Sequence, residues 1–325
     1  MSTASRSFGA GSVTPFAAGS VSFRLYPHND LPAPAIVDEL RAQAALAATH
    51  GFDGVMTSEH HGGFHGYLPN PLQAAGWCLE VMTTGWAAPS PLLLPLRPPA
   101  LVAEEVAWLA ARFPGRVGLG VASGALPEDF EIMGASMEHL AEQFSNALEI
   151  VTRILDGSDP GALAGDPAVK ACIDKPVPVV SAAMGFTAVR RAARLGVGIL
   201  FDSLSTAARC RELSDAYREA GGGGPCVLIR RAWLGDPPRE RLDDQVDVYR
   251  SYSPQSAQSH WGSDELVRSD EPAEVAAGLA DVAARAGADA LNLRVHVPGV
   301  APADVREQIQ RLGEVLDPLR QALTP

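Results

Sequence analysis

The amino-acid sequence predicts an α/β fold, a closed (β/α)₈ TIM barrel with insertions between barrel elements. Short apolar runs alternate with longer amphipathic stretches through eight successive units. Such alternation indicates parallel strands, because each parallel connection needs a crossover helix. The runs are apolar on both faces, as strands covered on both sides must be. Eight units in one chain favour a closed barrel over an open, doubly wound sheet.

The predicted elements follow one another in order, and each helix comes after a strand. Apolar runs predict strands at residues 21–26, 54–57, 86–94, 116–122, 178–181, 198–201, 225–234 and 290–295. Amphipathic periodicity predicts helices at residues 34–50, 71–82, 99–112, 137–155, 187–195, 206–220, 272–286 and 303–319. Gly51, Gly196 and Gly287 directly follow three of these helices, where glycine accepts the left-handed conformation that ends a helix.

Three segments stand outside the repeat. Residues 1–19 are rich in Ser, Gly, Ala and Thr and are expected to form a flexible N-terminal arm before a single barrel domain, residues 20–325. Residues 156–175, rich in Gly, Asp and Pro, and the polar residues 236–269 are predicted as excursions between barrel elements. The second excursion is long enough to form a lid or a dimer element.

Composition excludes several classes of partner. The net charge is −12, from 26 basic and 38 acidic residues, and the only lysines are Lys170 and Lys175. Nucleic-acid binding is not expected, since phosphate neutralisation needs clustered cations. The four cysteines form no C-x-x-C pair, and neither a signal peptide nor a membrane span is recognisable. A reduced, cytoplasmic protein is expected.

A concentration of histidine follows the second predicted strand, in the stretch Ser58-Glu59-His60-His61-Gly62-Gly63-Phe64-His65. A histidine at the carboxyl end of a barrel strand suits general acid or base catalysis near neutral pH. Metal binding is disfavoured, because adjacent His60 and His61 point to opposite sides of an extended strand. A structural role remains open for His61 and His65.

Three further strand ends offer candidate site residues. Ala122, Ser123 and Gly124 follow the fourth strand, and such small residues let a flat ring approach the backbone. The fifth strand is followed by a glycine turn that opens a helix, whose free N–H groups bind anions. On the last strand, Asn292 and Arg294 face away from the leucines, toward the site or toward a structural carboxylate. The turn after the fifth strand comprises Ala183, Met184, Gly185, Phe186 and Thr187.

These pieces together resemble the bacterial-luciferase-like monooxygenase family over residues 20–320. The resemblance rests on an ordered set of short motifs, each weak alone. They are Glu59-His60-His61, Asn70-Pro71, residues 94–99, residues 103–107, residues 115–121, Asp129-Phe130 with Gly134, residues 192–196 and residues 287–291.

The resemblance implies an enzyme that binds reduced FMN, or a deazaflavin coenzyme, at the carboxyl-terminal mouth of the barrel. It implies His60 as the proton-transfer and orienting residue, with Glu59 beside it among the cofactor-binding residues. It assigns 122–124 to the flavin ring and phosphate chain, and 183–187 to the phosphate. A homodimer is also implied. Apart from the resemblance, the aromatic residues suggest a substrate pocket of Phe64, Tyr67 and Phe130 together with Arg294, and Trp86 is a further aromatic candidate.

Two departures from the family pattern affect these expectations. Ser123 stands where bacterial luciferase carries an arginine, which argues against light emission. The prolines of Ala88-Pro89-Ser90-Pro91 lie where many members have a plain strand, often with a non-proline cis peptide.

The leading interpretation is an FMN-dependent monooxygenase that acts on a small organic molecule with O₂. A separate flavin reductase is expected, since no G-x-G-x-x-G stretch is present to bind NAD(P)H. The alternatives are a deazaflavin-dependent hydride-transfer enzyme, a non-catalytic flavin-binding barrel and, least favoured, a metal-dependent hydrolase.

Overall fold

The protein forms a parallel barrel surrounded by helices, which confirms the predicted fold class. The computed structural model describes residues 13–64, 67–252, 258–262 and 266–323. His65 of the histidine-rich stretch, residues 1–12 of the predicted arm, and parts of the second excursion lie outside the described residues. Within the described ranges, the hydrogen-bonded strand order is β3-β2-β1-β10-β8-β7-β6-β5-β4, with β9 paired to β8.

The strands are short, and all described pairs among them are parallel. Their bounds are β1 Val21–Arg24, β2 Gly54–Thr57, β3 Trp86–Pro89, β4 Leu92–Leu93, β5 Leu119–Ala122, β6 Val179–Ala182, β7 Gly198–Phe201, β8 Cys226–Leu234, β9 Leu266–Ser269 and β10 Ala290–Arg294.

Helices connect the strands on the outside of the barrel. Several begin with proline in the first turn, where its missing N–H has no intrahelical partner to lose. Their bounds are α1 Ala33–Thr49, α2 Pro71–Val81, α3 Pro99–Arg112, α4 Pro127–Met133, α5 Leu140–Leu155, α6 Pro167–Asp174, α7 Phe186–Arg194, α8 Ala207–Glu219, α9 Arg239–Tyr252, α10 Pro272–Ala286 and α11 Pro302–Leu323.

One predicted strand, residues 86–94, is interrupted, and its two halves close the barrel. β3 pairs with β2, whereas β4 pairs with β5. The Ser90–Pro91 peptide between them is cis, so the cis bond here precedes a proline. A bridge between Ala87 and Val117 joins β3 to the segment before β5. The barrel therefore closes around a strand that changes partner half-way along.

The barrel interior is filled at its base by a cluster distinct from the helix-facing core. Met56, Trp86, Val180 and Leu200 belong to it. Phe16, from the segment predicted as a flexible arm, is fully buried there and meets Trp86 edge-on at 5.1 Å between ring centroids. Pro15 and Phe16 of the predicted arm are therefore packed into the barrel base, whereas Val13 and Thr14 are exposed, and Trp86 belongs to that base rather than to a substrate pocket.

The excursions contain regular structure that periodicity did not indicate. α6 lies in residues 156–175 and begins at Asp166, whose carboxylate accepts the N–H groups of Ala168 and Val169. α9 and β9 lie in residues 236–269. The polar composition of this segment gives no apolar periodicity from which a helix or a strand could be predicted. Across the described part of the chain, we find no helix both long and apolar enough to span a membrane.

Candidate functional site

The candidate site lies at the carboxyl ends of the strands, where the mouth of the barrel opens. Backbone pairing places the ends of β1, β10 and β8 side by side, since Leu293 pairs with Phe23 and Arg294 with Arg231. The Glu-His-His stretch directly follows β2, the other neighbour of β1. The site is thus assembled from residues far apart in sequence, as in other barrels of this type.

Glu59 is the centre of a buried ionic network behind the mouth. Its side chain is fully buried, and Oε1 lies 2.9 Å from Nε2 of His61 and 2.6 Å from Nη1 of Arg97. Oε2 accepts the backbone N–H of Leu93 at 2.6 Å. The carboxylate therefore braces the loop after β2 against β4. It does not line the cavity, so its predicted contact with a cofactor is not supported by its position.

His60 is held by a carboxylate that comes from α4. Nδ1 of His60 donates to Oδ2 of Asp129 at 2.7 Å, and the backbone N–H of His61 donates to Oδ1 at 2.7 Å. In the neutral ring this arrangement puts the proton on Nδ1 and leaves Nε2 as an acceptor. Burial alone would raise the pKa of Asp129, but the hydrogen bonds from His60 and His61 lower it overall. Asp129 thus stays ionised and fixes the imidazole ring.

A cavity of about 240 Å³ opens next to this pair. His60 does not line it, but its ring contacts Tyr67, which does, with 4.4 Å between ring centroids. Phe64 touches His60 from another side, at 4.8 Å. One wall is apolar, formed by Ala182, Met184, Leu200, Phe201 and Ile229. Among the other lining residues are Arg24, Tyr26, Ser58, Asp202, Ser203, Tyr249, Trp261 and Arg294.

Arg294 forms the cationic wall together with aromatic hydroxyls. Its Nη2 donates to the hydroxyl of Tyr249 at 2.6 Å, and its Nη1 donates to Ser203 Oγ at 3.3 Å. The guanidinium lies 4.8 Å from the ring centroid of Tyr26. The Tyr249 hydroxyl in turn lies 3.0 Å from that of Tyr67. Tyr67 therefore connects the His60 side of the mouth to the arginine side.

Two more buried arginines surround Arg294. Arg24 donates through Nε to Asn292 Oδ1 at 2.7 Å and through Nη1 to Ser58 Oγ at 3.2 Å. Arg231 donates through Nη2 to Gln245 Oε1 at 2.6 Å. Within the described residues, no carboxylate lies within 4.0 Å of these three guanidinium groups. The partners of this side are neutral, in contrast to the Glu59 network.

The electrostatics of the arginine side follow from this crowding. Burial, with the charge of Arg294, lowers the pKa of Arg231 to about 10. Burial would raise the pKa of Tyr249, but the charges of Arg294 and Arg231 lower it overall. Burial and the nearby His28, Arg294 and Arg231 hold the pKa of His296 well below its usual value. These three shifts favour the form that adds no positive charge. Burial would lower the pKa of Arg294 as well, but Tyr249, Tyr26 and Tyr67 raise it overall, so this arginine stays charged.

The residues predicted for the cofactor occupy two neighbouring strand ends. Met184 lines the cavity, whereas Ala183 is buried behind it. Gly185 directly precedes α7. A Cβ atom added at this glycine would have no other atom within 4 Å, so the space beside it is open. Phe186 and Thr187 open that helix, and Phe186 is exposed.

The other predicted loop runs beside the mouth after β5. Ser123 Oγ donates to the carbonyl of Gly124, and neither they nor Ala122 line the cavity. Gly124 has φ of 82°, in the left-handed region that favours glycine. Phe130, predicted for the substrate pocket, instead packs with Leu93 and Leu96 in a small separate core, so its position does not support that role.

Sequence reasoning missed several residues of this site. Arg24 stands at the end of an apolar run, where its alternation with Phe23 already indicated the inner face. Asp129 stands in the sequence only within a family motif, and periodicity predicts no helix at α4. Tyr249 lies on α9, in the polar excursion, where nothing in the sequence indicated that a helix would reach the mouth. The described residues contain no group of three or more side chains placed to hold a metal ion.

Comparison with known proteins identifies the fold's relatives. A sequence profile of the luciferase-like monooxygenase family matches residues 21–317. The chain belongs to this family. Among its relatives, the F420-dependent glucose-6-phosphate dehydrogenase of Beutenbergia cavernae is 30% identical over 263 residues, which span 73% of this chain and 74% of the relative.

Two further relatives match the chain over about a third of its length. An uncharacterized protein of Mycobacterium tuberculosis is 37% identical over 108 residues, and the match spans 32% of this chain and 38% of that relative's length. The alkanal monooxygenase alpha chain of the Kryptophanaron alfredi symbiont is 29% identical over 103 residues, spanning 32% and 29% of the two chains.

Solved structures of the luciferase-like family share the fold at low sequence identity. The oxygenating constituent of 3,6-diketocamphane monooxygenase from Pseudomonas putida, in complex with FMN, superposes with a TM-score of 0.73 at 16% identity, covering 93% of this chain and 98% of that one. An F420-dependent secondary alcohol dehydrogenase gives 0.70 at 17% identity, covering 92% and 98%. Relatives of both cofactor types thus have this barrel.

Proposed function

We propose that this luciferase-like protein is a flavin-dependent monooxygenase that uses reduced FMN and O₂ to oxygenate a small organic substrate. One arrangement carries the proposal: His60, fixed by Asp129, contacts Tyr67 at the edge of a cavity in the barrel mouth. A positioned histidine beside a cavity is what proton transfer to a bound molecule requires.

The apolar wall of the cavity fits a planar aromatic cofactor. Met184 and Leu200 offer apolar contact, and the backbone N–H groups at the start of α7 lie next to Met184, with open space at Gly185. Free N–H groups at a helix N-terminus suit a phosphate. We assign the ring to the Met184 wall and the phosphate to residues 185–187. When bound, the cofactor supplies redox chemistry that no side chain provides.

The protein's own residues position groups and handle protons. Asp129 keeps the proton of neutral His60 on Nδ1, so that Nε2 accepts a proton from a bound molecule and later returns it. Glu59 and Arg97 hold the preceding loop, which keeps the His60 backbone in place. The apolar wall excludes water from the reacting groups, as such sites generally do.

A second candidate function is hydride transfer with a deazaflavin coenzyme. The observation that favours it is the F420-dependent dehydrogenase relative, whose match spans most of both chains. The same His60–Asp129 pair would serve there as the proton-transferring group. In the monooxygenase proposal a separate flavin reductase supplies reduced FMN, and we propose that the protein acts as a cytoplasmic homodimer.

The experiment is an anaerobic titration of the purified protein with reduced FMN and, in parallel, with the reduced deazaflavin coenzyme. Saturable binding of reduced FMN is the expected result, and when O₂ is admitted the bound cofactor is expected to be reoxidised more slowly than free reduced FMN, which reacts with O₂ without any protein. Binding of the deazaflavin coenzyme alone would move the protein to hydride transfer. If neither cofactor binds, the proposed function is wrong.

Variants assign the role of His60 in the same experiment. His60→Ala and Asp129→Asn are expected to bind the cofactor as the wild type does, while the rate of reoxidation of the bound cofactor moves toward that of free reduced FMN, because the positioned proton-transfer group is lost. His50→Ala, at the end of α1 and outside the cavity lining, is the matched histidine control and is expected to behave as the wild type.

A further inference from the structure

The cationic wall of the cavity carries charge that the protein itself does not balance. Arg24, Arg231 and Arg294 are each 2–3% exposed, and all three come from adjacent strands of the barrel. Buried cations are ordinarily paired with a carboxylate, because removing a charge from water costs several kcal/mol. Here the described partners are Asn292, Ser58, Gln245, Ser203 and Tyr249, all uncharged side chains in their usual protonation states.

Hydrogen-bonding capacity is also left over on Arg294, which lines the cavity, and on the neighbouring Arg231, which does not. Nε of Arg294, and Nε and Nη1 of Arg231, are buried and have no hydrogen-bond partner within the part of the chain that is described. Arg24 and Arg294 line the cavity directly. Two guanidinium groups that face one small cavity form a natural receptor for a planar or tetrahedral anion.

The nearby acidic groups do not remove the whole surplus. Asp202 lines the cavity, but its Oδ1 accepts the N–H groups of Leu204 and Ser205 in a turn. The hydroxyls of Tyr249, Tyr26 and Tyr67, which also line the cavity, carry negative charge only as phenolates. With these hydroxyls neutral, Asp202 is the one carboxylate among the described lining residues, against the two guanidinium groups of Arg24 and Arg294, so one positive charge of the lining stays unbalanced.

We propose that Arg24 and Arg294 bind an anionic group of the substrate, a carboxylate, sulfonate or phosphate. This inference rests on the proposed function only in calling the ligand the substrate. The apolar side chains of Ile229, Phe201 and Trp261, which line the same cavity, receive the rest of the molecule. The substrate class is therefore a small organic acid with an apolar body. The assigned cofactor wall, at Met184 and Leu200, stays available beside it.

The test compares a carboxylate with its neutral analogue by calorimetric titration of the purified protein. Benzoate is expected to bind with one-to-one stoichiometry and about tenfold or more tighter than benzamide, the difference that charge-assisted hydrogen bonds provide. Arg294→Met and Arg24→Met are expected to lose that preference, and Arg294→Lys to keep part of it. Arg153→Met, which removes an exposed arginine of α5, is the matched control and is expected to keep it.

Titration of the same variants with reduced FMN and the reduced deazaflavin coenzyme separates the two possible sources of the anion. Unchanged cofactor affinity in Arg294→Met and Arg24→Met assigns the arginines to the substrate. Lost cofactor affinity in those variants, equal binding of benzoate and benzamide to the wild type, or no benzoate binding would each overturn the proposal. If the wild type binds neither cofactor, the proposed function fails, while the benzoate comparison still decides whether an anion site exists.

Discussion

The two sides of the barrel mouth are both rich in buried polar groups, but they differ in how charge is balanced. On the side of β2, the carboxylates of Glu59 and Asp129 meet His61, Arg97 and His60. On the side of β1, β10 and β8, three arginines meet neutral side chains. A network whose positive and negative charges balance needs no ligand and holds the loops in place. A network with excess positive charge is expected where a bound anionic ligand supplies the missing negative charge.

The largest expected effect breaks the balanced side. Glu59→Met leaves Arg97, His61 and the N–H of Leu93 without their shared partner, so we expect the free energy of unfolding to fall by about 3–5 kcal/mol. Urea denaturation measures this loss. Glu149→Met, which removes an exposed ion pair with Arg153, is the control and is expected to cost less than about 1 kcal/mol. Equal losses in the two variants would mean that Glu59 braces nothing.

The pH dependence of stability is expected to come from the arginine side. The pKa of His296 is depressed in the folded state, chiefly by burial, so its contribution to stability is present above pH about 6.5 and is lost as pH falls below that value. The loss approaches about 1.4 kcal/mol per pH unit for one group. The test is urea denaturation at pH 7.5 and at pH 5.5, about one unit on either side of the usual histidine pKa. The free energy of unfolding of the wild type is expected to be lower at pH 5.5, and the decrease is expected to be smaller in His296→Asn. A slope that the variant keeps in full would place its source elsewhere.

A smaller effect is expected where the two sides meet. Tyr67→Phe keeps the ring against His60 but removes the hydroxyl that lies 3.0 Å from Tyr249. We expect the free energy of unfolding to fall by about 1 kcal/mol, the net value of one such hydrogen bond. Tyr67→Ala, which also removes the ring contact, is expected to lower it further. No difference between the two variants would show that the ring contact with His60 contributes nothing.

The barrel itself was predictable because its signals are local. Periodicity placed β2, β7, α3 and α10 at the residues where the structure has them. Strand-end reasoning brought His60, Met184 and Arg294 to one mouth, and Tyr67 was expected there as an aromatic pocket residue. In the structure Tyr67, Met184 and Arg294 line the cavity, and His60 contacts it through Tyr67. Such reasoning works because the carboxyl ends of barrel strands converge regardless of detail.

What the sequence did not reveal depends on contacts between distant residues. His60 and Asp129 are 69 residues apart in the sequence. The short helix α4, which brings Asp129 to His60, is not predicted by the hydrophobic periodicity. The alignment of Arg24, Arg294 and Arg231 depends on the register of three paired strands, and the sequence of a single strand does not determine that register. Glu59 and Phe130 were assigned to the site from their motif, whereas their side chains turn into a buried network and a small core.

The most direct test of this contrast is the free energy of unfolding of the wild type and Arg294→Met, each with and without benzoate. Because no described carboxylate pairs with Arg294, its replacement by methionine is expected to lower the free energy of unfolding by about 1–3 kcal/mol, for the lost hydrogen bonds to Tyr249 and Ser203, and so by less than Glu59→Met. Benzoate is expected to stabilise only the wild type, as a ligand of the folded state must. A loss in Arg294→Met as large as that in Glu59→Met, with no effect of benzoate on the wild type, would contradict the account.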